Sequence, residues 1–254
     1  MKIFYSFKAT ILISLFLITF SSCDVANQLV NEFDSATQTT ELTEMEVTKG
    51  LKRALSIGTE IAVSGLSKPE AFYRSDNYKI LLPKEANIIT ENKNNPLLQA
   101  IGIDKMINDV EKSMNTAAEK AVIKAKPIFI QAITNMSIQD AFGILQGNDT
   151  AASHYLRKQT YSQLYQLFKP DVSQALKQPL YQGISTQKAW SDLTNAYNNV
   201  AIFVPSWNKV NTQLDDYVTQ KALHALFEEV KKEEKKIRKD PAARVDEILR
   251  RVFG

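Results

Sequence analysis

The chain has 254 residues, 44% of them hydrophobic and 23% charged, an ordinary globular composition that excludes a wholly disordered or fibrous protein. A formal net charge of +3 is too small to point by itself to a nucleic-acid partner. Eight glycines and eight prolines disfavour a turn-rich all-β fold; one cysteine excludes a disulfide framework and a thiolate metal cluster, and two histidines, His154 and His224, leave little for an imidazole site.

Residues 1–22 read as a signal peptide. Lys2 and Lys8 form a positive start, and Ile11 to Phe20 is an apolar run broken only by Ser14 and Thr19. That run is shorter than the ~20 residues a membrane-spanning helix needs. Ser21 and Ser22 precede Cys23, the only cysteine, and this arrangement resembles the lipobox of bacterial lipoproteins, with Phe20 where an aliphatic residue is usual. The resemblance implies cleavage before Cys23, lipidation of that residue and attachment to a bacterial membrane in the cell envelope, with the periplasmic side expected and inner or outer membrane left open. Two or more acyl chains suffice for stable anchoring. Loss of Lys2 and Lys8 leaves 29 basic against 28 acidic residues, a charge of +1, so bulk electrostatics names no partner for the mature protein.

Residues 23–41 form a lipid-anchored polar linker. Its segment 24–41 reaches at most ~60 Å at about 3.3–3.6 Å per residue. The domain then spans 42–254. Thr43 and Glu46 have capping-box spacing, and the helix they open is expected to stop near Ser64, with Gly65 as a left-handed cap. Lys68-Pro69, Pro83 and Pro96 punctuate an irregular stretch in which Tyr78 to Leu82 reads as extended, without a strand to pair with. Asn95-Pro96 opens a helix, and a long one follows Gly102. Its stripe, Ile107, Val110, Met114, Ala117, Ala121, Ala125 and Ile128, recurs at steps of three and four, with Pro127 expected to kink or restart the helix. Ser137 and Asp140 start the next helix, which Gly147 ends.

Asp149 is expected to cap a helix from Thr150 to about Phe168, with Pro170 restarting the chain. Ser185 or Thr186 opens a helix carrying Trp190, Leu193 and Tyr197, and a loop holds Pro205 and Trp207. Thr212 and Asp215 have capping-box spacing before a helix that buries Leu214, Val218, Ala222, Leu226 and Val230. Asp240-Pro241 starts a last helix running to Phe253. The expected fold is therefore all-α: a single-domain, non-repetitive bundle of about nine helices and no sheet.

Four constellations could carry chemistry, and each has a plain structural reading. Gly147-Asn148-Asp149-Thr150 ahead of a helix could host an anion, but Asp149 already fills the cap. Asp215 and Asp216 could bind a cation, yet helical neighbours point ~100° apart and acids suit a first turn anyway. Asn115 and Glu119 lie four apart beside the apolar stripe. A buried Glu119 needs a partner, and Arg157 is the candidate. Lys231–Lys239, KKEEKKIRK, carries six bases and two acids and reads either as a patch for anionic headgroups or as a solvated helix end stitched by Glu234–Arg238 and Glu228–Lys232. No nucleophile elbow, phosphate loop or HExxH occurs, which argues against an enzyme.

The order of segments is more specific than any of these. LKRALSIGTEIAV at 51–63, MNTAAE at 114–119, SIQDA at 137–141, GNDTAA at 147–152, YLR at 155–157, LDDYVT at 214–219, EEKKIR at 233–238, PAAR at 241–244 and VFG at 252–254 resemble the bacterial domain-of-unknown-function family 4197, over roughly 44–254. The resemblance implies an envelope protein with a helical domain and no known reaction, substrate or cofactor. Its polar positions are Asn115, Glu119, Asp149, Thr150, Arg157, Asp216, Thr219, Lys221, Arg238 and Arg244. They form either a hydrogen-bonded packing network or the lining of a cleft. The leading expectation is a membrane-tethered binding or scaffolding lipoprotein with a protein partner in the envelope. The alternatives are an envelope hydrolase using Glu119, Asp149 and Asp216, and a purely structural lipoprotein. An enzyme requires those carboxylates to converge in a pocket; a binding module requires a groove or an apolar patch.

Overall fold

A computed structural model describes residues 41–181, 183–211 and 213–254. The segment expected to be a signal peptide, Cys23, the rest of the expected linker to residue 40, and Thr212 lie outside the described residues. One compact unit runs from Leu42 to Gly254.

Helix α1 (Glu44–Leu66) begins as its residues require: Thr43 Oγ1 accepts from the Glu46 amide at 3.2 Å, and Glu46 Oε2 accepts from the Thr43 amide at 3.0 Å. It runs two residues further than expected. Gly65 stays helical, because burial of Val63 and Leu66 holds the last turn on the core. Residues 67–83 then cross the molecule without regular structure, so the extended Tyr78–Leu82 segment is not a strand.

Two short helices, α2 (Asn87–Glu91) and α3 (Pro96–Ala100), follow. Asn95 caps the second through the Leu97 amide at 2.9 Å. Gly102, at φ +72°, turns the chain into α4 (Ile103–Val122). Pro127 sits in the first turn of a restarted helix, α5 (Ala125–Thr134), and Ser137 with Asp140 boxes α6 (Ile138–Leu145). The stripe from Ile107 to Ile128 is buried throughout.

Helix α7 (Ala151–Lys177) passes straight through Pro170, where a break was expected. Phe168 and Val172, both fully buried, fasten the helix to the core on either side of the exposed proline. Their packing offsets the ~3 kcal/mol that an interior proline costs. An antiparallel ribbon of β1 (Pro179–Tyr181) and β2 (Ile184–Ser185), turning at Gly183 with φ +73°, is the one piece of sheet among the described residues. Ser185 caps α8 (Thr186–Ala201) through the Lys188 amide at 3.2 Å.

Helix α9 (Leu214–Lys239) starts after Gln213, with no side-chain cap bond there. It is the axis of the domain and touches α1, α4 and α7. Leu214, Val218, Ala222, Leu226 and Val230 are all buried, as their spacing requires. Asp240 caps only a 3-10 turn (Pro241–Ala243). The last helix, α10 (Glu247–Phe253), starts later than expected and is capped by Asp246. Gly50 admits the close approach of α10 to α1: a Cβ there would lie 2.6 Å from Val252 Cγ2. The domain is all-α, as the helical periodicities dictate, apart from the small ribbon.

Candidate functional site

Most of the polar residues singled out from sequence are spent on holding the fold together. Asn115, fully buried on α4, takes the place of a neighbouring strand for the irregular segment. Its Oδ1 accepts from the Ile80 amide at 2.9 Å, and its Nδ2 donates to the Ile80 carbonyl at 2.8 Å. One turn further on, Glu119 accepts from the Phe72 amide at 3.2 Å. Burial pushes its carboxyl above the usual carboxylate range, against the opposing pull of the Phe72, Glu70 and Tyr73 amides. Lys79 pairs with Glu111 at 3.1 Å, and the Tyr217 hydroxyl donates to the Leu81 carbonyl at 3.0 Å. The segment 67–83 is thus a strap latched to α4 and α9.

The expected Glu119–Arg157 pair does not form. Arg157 lies over the rings of Tyr161 and Phe227, at 5.1 and 5.3 Å from their centroids. Glu119 needs no cation because backbone amides surround it.

A second cluster closes helix ends. Asp149 does not cap α7. The cap is Glu234, from the far side of the sequence, whose two oxygens accept from the Ala152 and Ser153 amides at 3.0 and 2.8 Å. That carboxylate occupies the anion site of the helix N-terminus. Arg238 pairs with Glu234 at 3.1 Å and donates to the Ile144 carbonyl at 2.9 Å, closing the C-terminus of α6. Arg244 donates to the carbonyls of Ile237 and Arg238 at 3.1 and 3.0 Å, closing that of α9. Asp149 pairs with Lys239 at 2.5 Å, which lowers its carboxyl, and Thr150 donates to Asn148 Oδ1. The lysine run is likewise engaged. Lys231 pairs with Glu228, Lys232 with Glu229 and Lys236 with Glu233, so the Glu228–Lys232 pair expected from spacing is replaced by pairs three apart. Glu233 and Glu234 are themselves buried, so the run is not a wholly solvated end.

Asp216, Thr219 and Lys221 lie at the other end of α9. Asp216 accepts from the Tyr165 hydroxyl, which lowers its carboxyl, and from Gln220 Nε2 at 2.8 Å. Lys169 pairs with it at 3.5 Å. Thr219 Oγ1 donates to the Asp215 carbonyl, and Lys221 lies over its neighbour Tyr217. Asp216 and the Asp149 partner Lys239 stand about 35 Å apart along the helix at ~1.5 Å per residue. Glu119, Asp149 and Asp216 therefore do not converge on one pocket. Among the described residues, no group of three or more His, Cys, Asp or Glu side chains could hold a metal ion, and no helix is long and apolar enough to cross a membrane.

The open chemistry lies elsewhere. A groove of about 600 Å³ runs between the C-terminal end of α7, the outer face of α8 and residues 209–211 and 213–215. Gln187, Ser191, Asn195 and Asn198 line it from α8 at helical spacing, and Asn211 and Gln213 face them. Asn198 fixes the opposite wall: its Oδ1 accepts from the Val210 amide at 3.0 Å and its Nδ2 donates to the Val210 carbonyl at 3.1 Å. Trp207 stacks on the buried Tyr197 ring, centroids 5.4 Å apart, and steadies the same loop. Of the groove residues, Asp215 was singled out from sequence as a candidate cation ligand and Trp190 and Leu214 as core positions, but none of the uncharged polar ones was. Their polar stripe on α8 is legible there, but it has the spacing of any solvated helix face.

Fold and groove together define a helical domain whose marked polar residues are satisfied internally and which carries an open cleft lined mostly by uncharged polar side chains. Residues 41–254 match the family described as Protein of unknown function (DUF4197), and the chain belongs to that family. No curated protein and no solved structure matches the chain.

Proposed function

We propose that this is a bacterial envelope lipoprotein, tethered through lipidated Cys23 and facing the periplasm, whose helical body binds a ligand or envelope partner through the groove between α7, α8 and residues 209–211 and 213–215. The observation that carries this reading is the division of labour among polar groups. Those on α4 and at the ends of α6, α7 and α9 are committed to backbone partners, whereas the exposed side chains of Gln187, Asn211 and Gln213 line an open cleft. A cleft of this volume is in the range of small-ligand sites. The separation of Glu119, Asp149 and Asp216 speaks against a carboxylate hydrolase. The signal peptide and Ser21-Ser22-Cys23 support the tether.

Two measurements on the full chain in its bacterial host test the proposal. Labelled palmitate is expected in the wild type and absent from Cys23→Ala; equal labelling, or none in either, overturns the tether. A photo-crosslinking residue at Ser191, in the groove, is expected to give discrete adducts in living cells, whereas one at the exposed Lys49 gives none. Identical patterns at the two positions overturn the groove as the binding surface.

A further inference from the structure

The chemistry of the groove narrows its ligand. The lining is dominated by carboxamides and hydroxyls, each of which donates and accepts at once, and its charges are few: Lys177 and Lys209 against Asp215. An anionic ligand would need convergent cations without a carboxylate among them. A hydroxyl-rich ligand needs what is present, because a sugar hydroxyl is both donor and acceptor and a planar carboxamide can meet two neighbouring hydroxyls. The floor is apolar: Leu176, Trp190, Val210 and Leu214 are buried beneath the polar rim, suited to the C–H faces of sugar rings. The wall is built before any ligand arrives, since Asn198 holds both backbone groups of Val210 and Trp207 is stacked on Tyr197. Binding therefore need not order the backbone of the wall, which favours a ligand whose individual hydrogen bonds to protein replace those to water with small net gain.

We infer that the groove is a binding site for a neutral oligosaccharide, with Gln187, Asn211 and Gln213 supplying the hydrogen bonds and the Leu176–Trp190–Val210–Leu214 floor supplying the contact surface. This inference rests on the groove reading given under the proposed function and adds the chemical class to it.

The test is calorimetric titration of the full lipidated protein, held in a zwitterionic detergent without a sugar headgroup. The probes are chitotriose, maltotriose and, as charged control, a sulfated oligosaccharide. Saturable binding of chitotriose or maltotriose is expected, and the preferred one of the two tells whether acetamido groups are read. The triple variant Gln187→Ala, Asn211→Ala, Gln213→Ala is expected to bind about tenfold or more weakly with an unchanged melting temperature, because all three side chains are exposed. Ser191→Tyr, which fills the cleft from an exposed position, is expected to abolish binding and provides a second variant if the triple one fails to fold. Emission from Trp190, isolated by Trp207→Phe, should shift on saturation, since these are the two tryptophans of the chain. No heat with either neutral sugar, binding of the sulfated control alone, or undiminished binding by Ser191→Tyr overturns the assignment. Adducts from Ser191 in cells together with failure of both sugars would overturn the ligand class and leave the groove standing.

Discussion

Two irregular segments cross this helical domain, and both are held by the same device. In the strap 67–83, Asn115 takes both backbone groups of Ile80; in the loop after α8, Asn198 takes both backbone groups of Val210. What differs is the surroundings. The strap buries Phe72, Ile80 and Leu82 and is latched further by Glu119, Glu111 and Tyr217. The loop is fixed at Val210 and by the Trp207 stack, while Ile202 and Phe203 point outward, Phe203 at 80% exposure. A chain segment without regular structure must still satisfy its backbone groups. Where that is done under full burial the segment becomes part of the core; where it is done at one edge, a cleft remains beside it.

The largest effect should come from Asn115→Ala. It strands the amide and carbonyl of Ile80 in the interior, at about 2–4 kcal/mol in total, read as a lowered urea midpoint with an unchanged slope. A change below about 0.5 kcal/mol would mean the strap is not latched there. Asn198→Ala should cost only about 1 kcal/mol, because its site is half-buried and water can replace the lost bonds. Its signature would be loss of groove binding out of proportion to lost stability. Equal costs at the two asparagines would erase the distinction between strap and wall.

Glu119 gives a pH test of the strap. Its carboxyl is raised in the folded state, so its contribution to stability is fully present below the ordinary carboxylate pKa and is lost as pH rises through the folded value. Glu119→Gln removes that gain on acidification. The variant should therefore lose more stability than the wild type between pH 7 and pH 4, in parallel melts across that range. Asp216 works in the opposite sense. Its carboxyl is lowered by Tyr165, and its contribution is present above the ordinary value and lost as pH falls. The Tyr165→Phe variant should therefore lose less than the wild type on the acid limb, by an amount reduced by solvent screening. The smallest effect belongs to Phe203→Ser, expected within about 0.5 kcal/mol of wild type by thermal melting, since the ring touches little.

What the sequence determined by itself is whatever acts within about one helical turn. The boxes Thr43–Glu46 and Ser137–Asp140, the Asn95-Pro96 start, and the apolar stripes of α4 and α9 all depend on neighbours three or four residues away, and all stand in the structure. The all-α class follows from them. Tertiary structure decided the partners of the polar residues, because those bonds join positions far apart along the chain. Asn115 meets Ile80, Glu234 supplants Asp149 at the start of α7, and Arg157 leaves Glu119 for two aromatic rings. Packing also overrode local rules, carrying α7 through Pro170 and α1 past Gly65. The groove belongs to this second kind. Its stripe on α8 has ordinary spacing, and only the return of the chain at Val210, fixed by Asn198, gives that face an opposing wall.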